Sequence, residues 1–152
     1  MDDRKPPKAR RFVESVMTIA KPVLVVDGAG LGIAALGALF VEHRVACAAF
    51  VAAGRVVGIV SSNDLARTRR IVRDQHALVT DVMAHAAPIP PTHTILESAA
   101  DLATANLDYL VVVSEGRPVG VVHACDVLAW FARRHGIRSA GFPASASLRS
   151  NT

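Results

Sequence analysis

The chain carries one pattern twice. Gly58-Ile59-Val60-Ser61-Ser62-Asn63-Asp64-Leu65 returns as Gly120-Val121-Val122-His123-Ala124-Cys125-Asp126-Val127-Leu128. In each copy a glycine opens an apolar, β-branched run, and a polar turn holding an aspartate leads into a helical pattern. Repetition constrains a fold strongly, because a unit that cannot cover its own apolar face must stack on its copy. The echo extends upstream. Val13-Glu14-Ser15-Val16-Met17 answers to Val79-Thr80-Asp81-Val82-Met83, and Pro22 to Pro88, both 66 residues apart. Gly54-Arg55-Val56-Val57-Gly58 answers to Gly116-Arg117-Pro118-Val119-Gly120 at a spacing of 62. That alignment puts a four-residue difference between the first and second strands, and one unit of about sixty residues is used twice.

The residues between these landmarks give the order of elements. Phe12, Val13, Val16 and Met17 have the spacing of a short amphipathic helix. Val23-Leu24-Val25-Val26 is an apolar strand closed by Asp27-Gly28. Leu31 to His43 is a helix that buries Ile33, Leu36 and Phe40, with Leu39 beside them. Ala34, Ala35, Ala38 and Val41 leave it almost no polar face, as in a helix covered on several sides or held in a subunit contact. Cys47–Val51 and Val56–Val60 are strands joined by a hairpin at Ala52-Ala53-Gly54. Ser62-Asn63-Asp64 supplies cap chemistry for a helix to about Val72, basic through Arg67, Arg69, Arg70 and Arg73.

In the second copy, Ile89 starts the first strand, and Pro88, Pro90 and Pro91 confine it to a short edge. Thr94-Ile95-Leu96-Glu97 is a capping box before a helix with a buried stripe of Ile95, Ala99, Leu102 and Ala103. Tyr109–Val113 and Val119–Val122 are strands joined through Ser114-Glu115-Gly116-Arg117. Asp126–Arg134 is the closing helix, with Val127, Leu128, Trp130 and Phe131 apolar. Each unit is therefore β-α-β-β-α. The expected fold is α+β, with two such repeats packed sheet to sheet about a pseudo-twofold axis.

With 152 residues, 51% of them apolar and 20% charged, the chain is outside the disordered class. Two cysteines give no disulfide framework and fit a reducing compartment. Arg4, Lys5, Lys8, Arg10 and Arg11 stand against Asp2 and Asp3, so residues 1–11 hold most of the net charge of +4. The body is close to neutral, which argues against nucleic acid as a partner. The lead has no apolar core typical of a secretory signal, and the longest apolar run, Gly28 to Val41, is too short to span a bilayer. A cytoplasmic protein is expected. The divisions read as a basic tail (1–11), two units (12–74 and 75–138) and a Ser/Ala/Gly-rich tail (139–152).

At this point the sequence resembles a tandem pair of CBS domains, the regulatory modules named after cystathionine β-synthase. The resemblance covers about Val13 to His135. It rests on the Gly-apolar-apolar-Ser/Thr-x-x-Asp signature at Gly58, Ile59, Val60, Ser61 and Asp64, with the Val-x-x-Val-Met openings and Gly-x-x-Val-Gly hairpins in support. The resemblance implies a regulatory role: binding an adenine nucleotide or other adenosine-type ligand (AMP, ADP, ATP or S-adenosylmethionine) between the units, with no catalysis and no resident cofactor. It also implies a homodimer, paired through the Leu31–Val41 helix, and an effector protein.

The implied site has Asp64 accepting the ribose hydroxyls and Ser61 donating to a phosphate, near free N–H groups of the helix start. Ile19, Pro22 and Val23 would hold the adenine, and Arg44, Ala46 and Cys47 would wall the cleft. In the second copy Asp126, Pro88, Ile89, Asp108 and Tyr109 take the corresponding places. There His123 replaces the family's hydroxyl, either filling the pocket or, protonated, pairing with a phosphate. A plainer reading of Asp64 and Asp126 is that they only stabilise their helices, by about 0.3–1 kcal/mol each. An interaction module with empty clefts, acting through its dimer surface or basic tail, is the competing function.

Other signals carry less. Gly30-Leu31-Gly32-Ile33-Ala34-Ala35 fits a dinucleotide fingerprint, but no acidic residue follows at the right distance and a hairpin replaces the parallel strand. The histidines and Cys47 and Cys125 lack zinc-site spacing, so no metal is expected and both cysteines read as small buried hydrophobes. No nucleophile motif, acid/base pair or phosphate loop is present.

Overall fold

The computed structural model describes residues 14–28, 30–71 and 77–138. Both tails and the expected joint at 74–75 lie outside the described residues. The first half runs β1 (Leu24–Asp27), α1 (Ile33–His43), β2 (Cys47–Ala52), β3 (Arg55–Ser61) and α2 (Ser62–Ile71). The second repeats it as β4 (Ala87–Ile89), α3 (Ile95–Ala105), β5 (Tyr109–Ser114), β6 (Arg117–His123) and α4 (Ala124–Arg134). The sheets have the orders β1-β2-β3 and β4-β5-β6. In each, the first pair is parallel and the second antiparallel. A parallel pair needs a crossover, which α1 and α3 supply.

Strand alternation decides which residues meet. Ala48, Phe50 and Val60 turn toward the helices and pack with Leu36, Phe40 and Leu65. Leu110, Val112 and Val122 do the same against Ile95, Leu102, Val127 and Trp130. The residues between them, Ala49, Ile59, Val111 and Val121, meet one another from opposite sheets. Both sheet faces are thus covered, which is why the strands read as unbroken apolar runs. Each large side chain buried this way contributes roughly 1.5–3 kcal/mol.

The opening segments are exchanged. Val16, within a 3₁₀ turn at Val16–Thr18, is fully buried in the second half's core. Its N–H donates to the His93 carbonyl at 2.8 Å, and Ile95 N–H donates to Glu14. Glu14 also accepts from the Trp130 indole at 3.0 Å and from Arg134 on α4. Reciprocally, Val79 is buried in the first half's core, and its N–H donates to the Leu31 carbonyl. Each segment then crosses the other half's sheet. Lys21 and Val121 exchange two backbone hydrogen bonds of 2.9 Å, and Ile59 and Ala84 exchange two of 2.9 and 3.0 Å.

These crossings explain the repeated glycines. A Cβ on Gly58 would lie 2.3 Å from Met83 atoms and 3.1 Å from the Ala84 carbonyl. One on Gly120 would meet the Ala20 Cβ at 3.1 Å. The hairpins match as well: Ala53-Gly54 and Glu115-Gly116 all have positive φ, the geometry of two-residue hairpin turns.

The structure corrects the alignment of the openings. The turns at Val16–Thr18 and Val79–Asp81, and strands β1 and β4, stand 63 residues apart rather than 66. From α1 and α3 onward the spacing is 62. The copies therefore differ by one residue, between the first strand and the helix.

Smaller corrections follow from burial. Ile89 ends β4 rather than starting it, and Pro88 sits within this edge strand. On α3, Ser98 takes the buried place expected of Ala103, its hydroxyl donating to the Thr94 carbonyl. On α4, Leu128 and Phe131 are exposed while Val127 and Trp130 are buried. The capping box of Thr94 and Glu97 forms as read.

Replacing Gly58 by valine forces Met83 and the crossing backbone aside. Overpacking of this kind costs about 1–3 kcal/mol. Urea unfolding should show that loss, and an unchanged midpoint would remove the packing account of the glycine.

Candidate functional site

Helix α2 begins with a capping box built from the repeated signature. Asp64 N–H donates to Ser61 Oγ at 3.2 Å, and Ser61 N–H donates to Asp64 Oδ2 at 2.9 Å. The Ser61 hydroxyl donates to the same carboxylate oxygen at 2.8 Å. The other oxygen, Oδ1, accepts from Arg67 one turn on, at 2.5 Å. The cap is the larger contribution, about 0.5–2 kcal/mol, whereas an ion pair to a mostly exposed arginine contributes about 0.2–1 kcal/mol. Ser61, not Ser62, is the cap; Ser62 N–H donates instead to the Ala46 carbonyl at 2.8 Å.

Helix α4 repeats the box with a histidine. His123 Nδ1 accepts from Cys125 N–H at 3.0 Å, and His123 N–H donates to Asp126 Oδ2 at 2.9 Å. The ring thus does the work of the missing hydroxyl and is held as the Nε2–H tautomer. It also packs against Tyr109, with centroids 4.6 Å apart.

A cleft of about 550 Å³ opens before α2. Asn63, Asp64, Ala66 and Arg67 line it from the first half. Asp108, Tyr109 and His123 line it from the second, and Ala84 comes from the exchanged segment. The sheet contact carries Tyr109 to the Asp64 corner. Burial above all pushes its hydroxyl above the usual tyrosine range; a hydrogen bond with Ser61 pulls it back, and the carboxylates of Asp64 and Asp108 add a smaller push upward.

The pseudo-equivalent corner differs. By the 63-residue spacing, Lys21 stands where Ala84 stands in the first. Its ammonium pairs with Asp126 Oδ1 at 2.8 Å, and that hydrogen bond holds its pKa above the ordinary lysine value. Asp126 is therefore paired twice, by its own backbone and by Lys21.

Of the residues singled out from sequence, Asp64, Asp108, Tyr109 and His123 come together in one cleft, where the repeat pattern divides them between two sites. Ser61 lies just beneath it, 4% exposed. Ile19 packs on the second half's core, Val23 on the contact between the sheets, and Ile89 is buried in the core. Arg44 is the left-handed cap that ends α1, with φ 53°. Pro22, Ala46 and Pro88 are exposed. Asn63, Ala66 and Ala84 are lining residues that the sequence does not single out as ligand-binding. Arg67 was detectable, since it stands three residues after Asp64 on one helix face.

Cys47 is half-buried, and burial before other causes pushes its thiol up to about 11. Cys125 is exposed on the first turn of α4, contrary to its reading as a buried hydrophobe. Among the described residues no cluster of His, Cys, Asp and Glu could hold a metal. None of their helices is long and apolar enough to cross a membrane.

Residues 79–133 match the CBS domain model. The whole arrangement is similar to the CBS domain pair of protein MJ0100, in complex with 5′-methylthioadenosine and S-adenosyl-L-methionine. That likeness has 20% identity and a TM-score of 0.61, over 80% of this chain and 98% of the other. The chain is also similar to a CBS domain protein from Pyrobaculum aerophilum complexed with AMP, at 19% identity and a TM-score of 0.59 over 78% and 98%. A CBS domain of a membrane protein from Sphaerobacter thermophilus matches at 20% and 0.61 over 79% and 90%.

This is the fold of a CBS-domain pair. The repeated signature of the pair doubles here as a capping box, so Asp64 and Asp126 have structural work whatever else they do.

The thiols give a direct check on these surroundings. Iodoacetamide at pH 8 should label Cys125 and spare Cys47, as read by peptide mass spectrometry. Equal labelling of both would contradict the burial of Cys47.

Proposed function

We propose that the cleft before α2 binds one adenosine-type ligand per chain and reports its occupancy to a partner. The observation that carries this reading is the Asp64 carboxylate. Its backbone cap fixes it at the edge of a cleft of about 550 Å³ built from both halves. A carboxylate so oriented can accept both ribose hydroxyls, with Arg67 swinging outward from an exposed position. The Tyr109–His123 ring pair offers an aromatic wall for a base. The ligands of the MJ0100 and Pyrobaculum pairs support the same class.

The ligand would touch α2, the exchanged segment and the starts of β5 and α4 together. Any ligand that prefers one arrangement of these parts shifts the population toward it, which is how occupancy becomes a signal. The protein acts as a binding module and not as a catalyst. It pairs with a second copy through the outer face of α1, where Ala34, Ala35 and Ala38 are exposed and Val41 is 80% exposed. Free thiols fit work in a reducing cytoplasm.

Thermal shifts with AMP, ATP, S-adenosylmethionine and methylthioadenosine test the reading. A ligand at about 100 times its Kd should stabilise the protein by about 2.7 kcal/mol. Asp64→Asn should abolish the response, and no response to any compound would favour an interaction module with empty clefts. Calorimetry on the responding ligand should give one site per chain. Lys21→Ala, which releases Asp126, should raise that number toward two; an unchanged stoichiometry would show that the lysine is not what closes the second corner.

A further inference from the structure

The groups that would greet a phosphate in this cleft are already engaged. The Ser61 hydroxyl is buried and donates to Asp64. At the start of α2, Ser62 N–H is taken by the Ala46 carbonyl and Asp64 N–H by Ser61. At the start of α4, Ala124 N–H donates to the Asp108 carbonyl and Cys125 N–H to the His123 ring. The usual means by which a helix N-terminus holds an anion is thus largely consumed inside the protein. Arg67, the one lysine or arginine among the described residues lining the cleft, is paired with Asp64.

The negative groups are not balanced in the same way. Among the described residues two carboxylates line the cleft against one guanidinium. Asp108 is exposed at its mouth, and its carboxylate has no hydrogen-bond or ion-pair partner among the described residues. Its charge adds a small push to the rise of the neighbouring Tyr109 hydroxyl, a rise that burial dominates.

We propose that this cleft selects adenosine compounds whose 5′ substituent is neutral or positively charged, a thioether or a sulfonium amino acid, over those bearing phosphates, and that Asp108 is the selecting residue. This rests on the adenosine-binding reading above and gives it a direction. Selection works by repulsion: the ribose site accepts any member of the class, and the uncompensated carboxylate penalises those with an anionic tail.

Isothermal titration of the full chain with methylthioadenosine, S-adenosylmethionine, AMP and ATP tests it. The two sulfur compounds should bind at least about tenfold tighter than ATP, with AMP between, as expected for like-charge juxtaposition in a partly closed site. Asp108→Asn should shrink the gap between S-adenosylmethionine and ATP by about fivefold, and Asp108→Lys should close or reverse it. Both variants alter an exposed side chain, so the melting temperature without ligand should not move. Preference for AMP or ATP in the unmodified protein overturns the proposal, as does a gap that Asp108→Lys leaves unchanged. Binding of all four with equal affinity overturns the charge selection but not the adenosine site. Silence toward all four overturns both.

Discussion

Ala49, Ile59, Val111 and Val121 form the contact on which the rest of the molecule depends. They are small or β-branched, they stand on the central and third strands of each sheet, and they are buried between the halves. Because they bring the sheets face to face, the start of α2 meets the starts of β5 and α4. Without that contact, Asp64 would be a capped helix start facing solvent, and Asp108, Tyr109 and His123 would lie elsewhere. The cleft is therefore a product of sheet packing and not of either half alone.

The halves have nearly the same backbone and different corners. Both keep the bulge in the hairpin, the positive-φ turn and the left-handed helix cap at corresponding positions. What differs is a few side chains: Ser61 against His123, Ala84 against Lys21, Cys47 against Tyr109. The backbone relations are fixed by hydrogen bonding and core volume, so they tolerate little change. The corner side chains lie at the margin of the sheet contact and not in the helix-facing cores, which leaves them more open to divergence. One corner has become an open acidic cleft and the other is neutralised by an ion pair.

Much of this was legible in the sequence. The strands were readable from β-branched runs bounded by glycine, and the helices from caps such as Thr94 and Glu97, because these signals are local. The pairing of halves followed from repetition. The opening alignment did not, for a physical reason: Val13 and Val16, like Val79 and Val82, stand three residues apart, so a shift of one 3₁₀ turn preserves the pattern. Only the buried partner shows that Val16 answers to Val79. The exchange of opening segments was also hidden, since no local signal tells a valine which half's core it enters. At the site, Asp64 is legible from its setting in the first turn of a helix, and Asp108 from its place before the second strand of its unit under the family resemblance. The pairing of Lys21 with Asp126 joins distant parts of the chain, and Ala84 matters by being small, which no motif records.

The exchanged openings have a bearing on how the chain came to be a single piece. A half cut at the joint would keep the strands and helices of its own sheet but carry an opening segment shaped for the other one. Its core would lack the valine that seals it, and its crossing glycine would face an empty groove. Two identical halves, however, could trade openings with each other and close both gaps. Holding both halves in one chain lets each opening reach its partner's core while the two corners carry different residues.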